Sequence, residues 1–264
     1  MLRLRAALSI GFLSLATAQA QTPPDVIALA RQNVATFIDL FSEVKCTELV
    51  SQEKLTAKGK VEYREQSRYD YLVIADSSDN DLSLQESRLE EQGAQHKKNV
   101  SLLVTNGFAT LLLVFHPYYQ ESFEFSAPEE ELVNGQRLMK VKFRHVPGKR
   151  TPSVLVLRGR EYPLAMMGTA WIEPTTGRVV RMNSDLQDNM TDIGLRTLHS
   201  DVTYAPVHFR DMKTPPWLPA SASIEVETAK QHWRNTHEFS NYQHFGVDTH
   251  ASVTSPQDPG GTNP

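Results

Sequence analysis

Apolar residues recur along this chain with two different periods. From Val26 to Val44 the period is helical. Val26, Ala30, Val34, Phe37, Phe41 and Val44 follow at intervals of three or four, and Ile27 and Ile38 widen the stripe. Thr22-Pro23-Pro24-Asp25 stands just before it, with a capping hydroxyl, prolines tolerated in a first turn, and an acid that suits the positive helix end. The pattern predicts an amphipathic helix of about six turns. Its apolar face must be covered by a sheet or lie in a groove. Lys and Arg are scarce on its polar side, which argues against a helix resting on a membrane.

Beyond this helix the period falls to two. Strands are predicted over 46–55, 61–74 and 82–91, separated by the turn Thr56-Ala57-Lys58-Gly59 and a polar stretch at 77–81. Val61, Tyr63, Tyr69, Tyr71 and Val73 share one parity in the second strand. The third is largely polar, as an edge strand can be. Later strands are predicted over 122–126, 136–146, 154–157, 164–173, 178–187, 196–205, 221–229 and 232–245. Glu129-Glu130-Glu131 reads as a solvated turn, and the Pro-rich stretch 206–219 around Trp217 as a long loop.

The clearest hairpin is 168–187. Pro174-Thr175-Thr176-Gly177 supplies its turn, and Val180, Met182 and Leu186 then alternate with Arg181, Asn183, Asp185 and Gln187. A four-residue loop sets Glu173 opposite Arg178 and Trp171 opposite Val180. That register turns Trp171 toward the Met182 side, as a core anchor or a cavity wall. Residues 101–115 admit two readings. Asn106-Gly107 is a hairpin turn; alternatively Phe108, Leu111, Leu112 and Phe115 form a helical stripe that ends before Pro117. The 3.6 period and the His116-Pro117 junction favour the helix.

There is no alternation of strand and helix, so a parallel sheet is not expected. The predicted class is mainly β (α+β). About ten strands form a single curved antiparallel sheet, with the N-terminal helix and a mid-chain helix covering its concave face.

Composition adds a compartment. Arg3 and Arg5, the apolar run 6–16 and Ala18-Gln19-Ala20 read as a signal peptide over 1–20, with the mature chain starting at Gln21. Its apolar run is shorter than the ~20 residues of a membrane span. A single domain is expected over 21–246 and a disordered tail over 247–264. Without 1–20 the chain carries 25 basic against 31 acidic residues, a net charge of −6, which argues against nucleic acid as a partner. Cys46 is the only cysteine, so the exported chain must stand on its core without an internal disulfide.

Candidate chemistry is sparse. His232, His237 and His244 do not share a converging strand face, no Ser sits in a G-x-S-x-G elbow, and no Gly-rich phosphate loop is present. No catalytic residue, metal or cofactor is expected, and the chain does not read as an enzyme. What stands out is a surplus of large inward apolar side chains. Phe108, Leu112, Phe115, Trp171, Met182 and Tyr204 are the candidates to line an apolar cavity under two helices and the Pro-rich loop.

Three stretches carry a family likeness: Tyr69-Asp70-Tyr71-Leu72-Val73 on an early strand, the strand–turn–strand of 168–182, and Trp217-Leu218-Pro219 before the strand at Ser221. With the long first helix and the mid-chain helical piece, the pattern over 25–245 resembles the LolA/LolB-like superfamily of periplasmic lipoprotein carriers and their relatives. The resemblance implies an unclosed β-barrel with helices as a lid over acyl chains, and a lipid or lipoprotein acyl chain as partner. It assigns no ligand-binding residue to a position here. The lipid-anchor Cys of the receptor branch is missing near the cleavage site, which favours a carrier or sensor. A periplasmic or otherwise exported location is expected, with an envelope protein as a further partner. The alternative is a structural or regulatory interaction module with a filled core.

Overall fold

A computed structural model describes residues 25–78, 81–90, 105, 107–157 and 159–245. The signal peptide expected over 1–20 and the tail expected over 247–264 lie outside the described residues. The first element is helix α1 (Val26–Phe41). The Asp25 side chain caps it, accepting hydrogen bonds from the Ile27 and Ala28 amides at 3.0 and 3.2 Å. Val26, Ala30, Val34, Phe37, Ile38 and Phe41 are its buried face, the stripe that the spacing predicts. At 16 residues the helix is shorter than expected, because Ser42 ends it and Val44 already belongs to the first strand.

Thirteen strands follow among the described residues: β1 (Val44–Leu55), β2 (Val61–Ser78), β3 (Asp81–Glu90), β4 (Phe123–Phe125), β5 (Glu129–Val133), β6 (Gln136–His145), β7 (Val154–Leu157), β8 (Arg160–Pro163), β9 (Met166–Ile172), β10 (Val179–Leu186), β11 (Leu195–Pro206), β12 (Trp217–Thr228) and β13 (His232–His244). Eleven form one antiparallel sheet in the order β3-β2-β1-β13-β12-β11-β10-β9-β6-β4, with β5 also on β6. The end strands β3 and β4 do not pair with each other, so the sheet is not closed. β7 and β8 make a separate small hairpin. The fold is therefore mainly β: one large open antiparallel sheet with few helices.

Register places one continuous set of side chains on the inner face. Cys46 pairs with Tyr71, Val50 with His237, Ile224 with Ser200, and Met182 with Val202 on one side and Ala170 on the other. Residues 108–115 lie over this face as a 3-10 helix (Phe108–Phe115), entered through Gly107 at φ +81°. So the helical reading of 101–115 holds for its second half, in a tighter form; 101–104 lie outside the described residues. From Leu111 to Phe115 every side chain is buried.

Two local readings change. The acid run Glu129-Glu130-Glu131 is strand β5, not a turn. Asn134 and Gly135, both at positive φ, fold it back onto β6, where Arg137 and Lys140 meet Glu130 and Glu131 at 3.3 and 3.0 Å. The second change concerns Trp171. Val179 pairs with Ile172, but the register then shifts and Trp171 faces Arg181 rather than Val180. One extra residue in a strand reverses the side-chain parity. Ala170 and Ile172 are fully buried; Trp171 lies on the opposite, outer face, with Arg181 over its ring at 5.1 Å and its indole N–H donating to Glu131 at 3.2 Å.

Candidate functional site

The turn of the β9–β10 hairpin packs directly on α1. Gly177 has φ +71°, and a Cβ there would lie 2.4 Å from Leu29 Cβ and 2.7 Å from the Ala30 amide nitrogen. Only glycine lets the turn press on α1 this closely. The Asn33 side-chain amide donates to the Thr176 carbonyl and fastens the contact. Glu173 is spent inside the turn, where it accepts from the Thr175 hydroxyl at 2.7 Å and the Thr176 amide at 2.8 Å.

Next to this junction is an apolar cleft of ≈ 150 Å³. Val34, Phe37 and Leu40 of α1 form one wall, and Pro215, Pro216 and Trp217 the other. Leu112 of the 3-10 helix and Val179 of β10 form the floor, and Asn33, Thr36, Thr214 and Arg178 the polar rim. The walls follow from the sequence: the helical stripe delivers Phe37, and the prolines stiffen a loop that cannot join a sheet interior.

Of the six expected cavity residues, Leu112 lines this cleft. Phe115, Met182 and Tyr204 lie in the same packed core, 0, 0 and 3 % exposed. Phe115 stacks on Phe125 at 5.0 Å, and Tyr204 meets Phe37 edge-on at 6.3 Å and touches the Leu112 backbone. None of the three lines the cleft. Trp171 is corrected to the outer face by the register shift. Phe108 begins the 3-10 helix, and its side chain lies outside the described residues.

At the other end of the inner face the side chains are polar. Glu48 has no exposed surface, yet it sits between Cys46 and Val50 on the core-facing parity of β1. Arg88 of β3 grips it through two nitrogens, one bond measuring 2.8 Å. His237 Nδ1 lies 2.7 Å from the same carboxylate and carries the proton of that bond, since a carboxylate can only accept. His237 Nε2 is 2.7 Å from the Thr105 hydroxyl, which accepts from the Asn235 amide at 3.1 Å. The Gly107 amide donates to Glu86 at 2.6 Å, and Glu86 also meets Arg88 at 3.0 Å. Burial works to raise the Glu48 carboxyl, but the hydrogen bonds and charges of His237 and Arg88 outweigh it and hold it below the usual carboxylate range. Hydroxyl, imidazole and carboxylate in a row can activate a nucleophile. Here the hydroxyl is buried and bonded on both sides, and the chain fastens residues 105 and 107, just before the 3-10 helix, onto β1, β3 and β13.

The other expected bystanders go their own ways. His232 bonds Glu225 at 2.6 Å, and His244 bonds Asp211 at 2.7 Å. Among the described residues no group of three or more His, Cys, Asp or Glu is placed to hold a metal ion. Cys46 is buried, which pushes its thiol up to about 12, so it is not a thiolate at neutral pH. Among the described residues no helix is long and apolar enough to cross a membrane.

Sequence reading missed the polar rim and the polar cluster. A signal for the second was available: Glu48 shares its parity with Val44, Cys46 and Val50. No periodic signal marks Arg178 or Thr214, whose positions depend on how the turn and the loop dock.

No protein-family model matches the chain, and no curated protein matches it. Among solved structures it is similar to a DUF1329 family protein from Desulfovibrio piger, with 10% identity and a TM-score of 0.43, over 86% of this chain and 95% of that one. It is also similar to an outer membrane lipoprotein-sorting protein domain from Vibrio parahaemolyticus, with 11% identity and a TM-score of 0.40, over 83% of this chain and 91% of that one. Likeness this distant carries no weight for function, which rests on the residues above.

Proposed function

We propose that this chain is an exported carrier or sensor that binds the acyl chain of a lipid or lipoprotein in the cleft between α1 and the Pro215–Trp217 wall. The observation that carries this reading is the cleft itself: ≈ 150 Å³, walled by Phe37, Leu40, Leu112 and Trp217. Pockets that engulf drug-sized ligands measure roughly 300–1,000 Å³, so this one suits a single linear chain better than a ring system. Each methylene buried there contributes about 0.8 kcal/mol, so affinity rises about fourfold per added carbon until the cleft is full.

The test is native mass spectrometry with lipid extraction on the chain exported by its host and purified without detergent. Co-purified lipid at one per chain is the expected result. A bare mass, with no uptake of a fluorescent fatty acid, sinks the reading. It would leave the interaction module with a filled core, which the closure of Phe115, Met182 and Tyr204 favours.

A further inference from the structure

The cleft has one charged residue on its rim, and that residue is held in place. Arg178 directly follows Gly177, whose contact with Leu29 fixes the turn against α1. Its amide is 3.3 Å from the Thr176 hydroxyl, and its carbonyl accepts from the Glu173 amide at 2.8 Å. The backbone that presents the guanidinium is therefore pinned from both sides of the turn.

The guanidinium itself is different from those on the outer sheet. Arg64 and Arg234 share Glu53, Arg181 meets Asp201, and Arg196 meets Glu227. Among the described residues, no carboxylate pairs with Arg178 and no acceptor takes a hydrogen bond from its side chain. The acid on its own hairpin, Glu173, is turned back into the loop by the Thr175 and Thr176 donors. Arg178 is half-buried and lines the apolar cleft, as do the polar residues Asn33 and Thr36. A planar guanidinium offers paired donors that match a two-oxygen anion, and water competes less where the site is half-enclosed.

Resting on the acyl-chain reading, we infer that Arg178 recognises an oxyanion at the head of the ligand. The ligand class is an anionic single-chain amphiphile, with a carboxylate or phosphate on Arg178 and its hydrocarbon between Phe37 and Trp217. Neutral heads lack the charge-assisted bonds and bind less tightly. A hydrogen bond to a charged group shifts binding by at least about tenfold.

Calorimetric titration of the full chain with decanoate, decyl phosphate, decanol and inorganic phosphate, below micelle-forming concentrations, tests this. Decanoate and decyl phosphate are expected to bind at least about tenfold tighter than decanol. That preference is lost in Arg178→Gln and is intermediate in Arg178→Lys, which keeps the charge but not the fork. Equal affinity for charged and neutral heads overturns the inference while leaving the acyl cleft standing. So does a preference that survives in Arg178→Gln with an unchanged melting profile. Inorganic phosphate bound as tightly as decyl phosphate overturns it too, by showing an anion site without a chain site. If none of the four ligands binds, the acyl reading itself falls.

Discussion

The two ends of the inner face solve the same problem in opposite ways. At the α1 end, Phe37, Leu112 and Trp217 bring carbon to carbon and leave a small opening. The walls of that opening meet without a buried charge to match, although the turn beside it needs Gly177 and the Asn33–Thr176 bond. At the β1–β3–β13 end, Glu48 is fully buried and must be matched atom for atom by Arg88 and His237. A buried charge is tolerated only when its partners are all present. One end is thus permissive and the other strict. The strict end holds residues 105 and 107, and the 3-10 helix that follows forms part of the permissive end through Leu112. The small apolar opening is thus bordered by a segment that a buried polar cluster fixes.

The strongest way to break this contrast is Glu48→Ala. It takes the carboxylate away from the buried His237 and leaves Arg88 with the Glu86 carboxylate, and is expected to cost about 3–5 kcal/mol in urea unfolding. A loss below about 1 kcal/mol, the range of exposed pairs, would show that the cluster is not strict. Met182→Ala probes the packed apolar core and is expected to cost about 2–5 kcal/mol through lost burial and a cavity. Acid separates the two ends. The Glu48 carboxyl is held below the usual unfolded value of about 4.3, so its contribution is complete above that pH and disappears as pH falls through the lower folded value. Unfolding midpoints measured from pH 7 to pH 3 should therefore fall in the wild type and in Met182→Ala. The fall should be smaller in Glu48→Gln; an equal fall in all three would remove Glu48 as the acid-sensitive group. The smallest effect belongs to Trp171→Ala. On the outer face it loses a ring contact with Arg181 and one hydrogen bond to Glu131, worth about 1 kcal/mol together. Lipid content stays normal. A loss of 3 kcal/mol or more, as for a core aromatic, roughly the Trp→Ala range, would restore the inward reading.

Much of the architecture was legible along the chain. The stripe Val26, Ala30, Val34, Phe37, Phe41 is the buried face of α1. Leu198, Val202 and Tyr204, like Ala222, Ile224 and Val226, share the core face that their alternation predicts. The site was legible only in part. Leu112 was read from its period, while Trp171 was lost to a single bulge, because parity arguments assume an unbroken register. Arg178 was invisible, because its environment is assembled by a helix, a turn and a loop that are distant in sequence.

The elements are thus encoded locally, since periods of 3.6 and two record which side of each element avoids water. The antiparallel class is local too, since short connections between successive strands leave no room for crossovers. Which strand meets which at the sheet's ends, that Glu48 finds Arg88 and His237, and that Gly177 packs on Leu29 beside the cleft follow from the folded arrangement alone. Those contacts join residues far apart in the chain, so their energies depend on docking geometry and no local pattern encodes them.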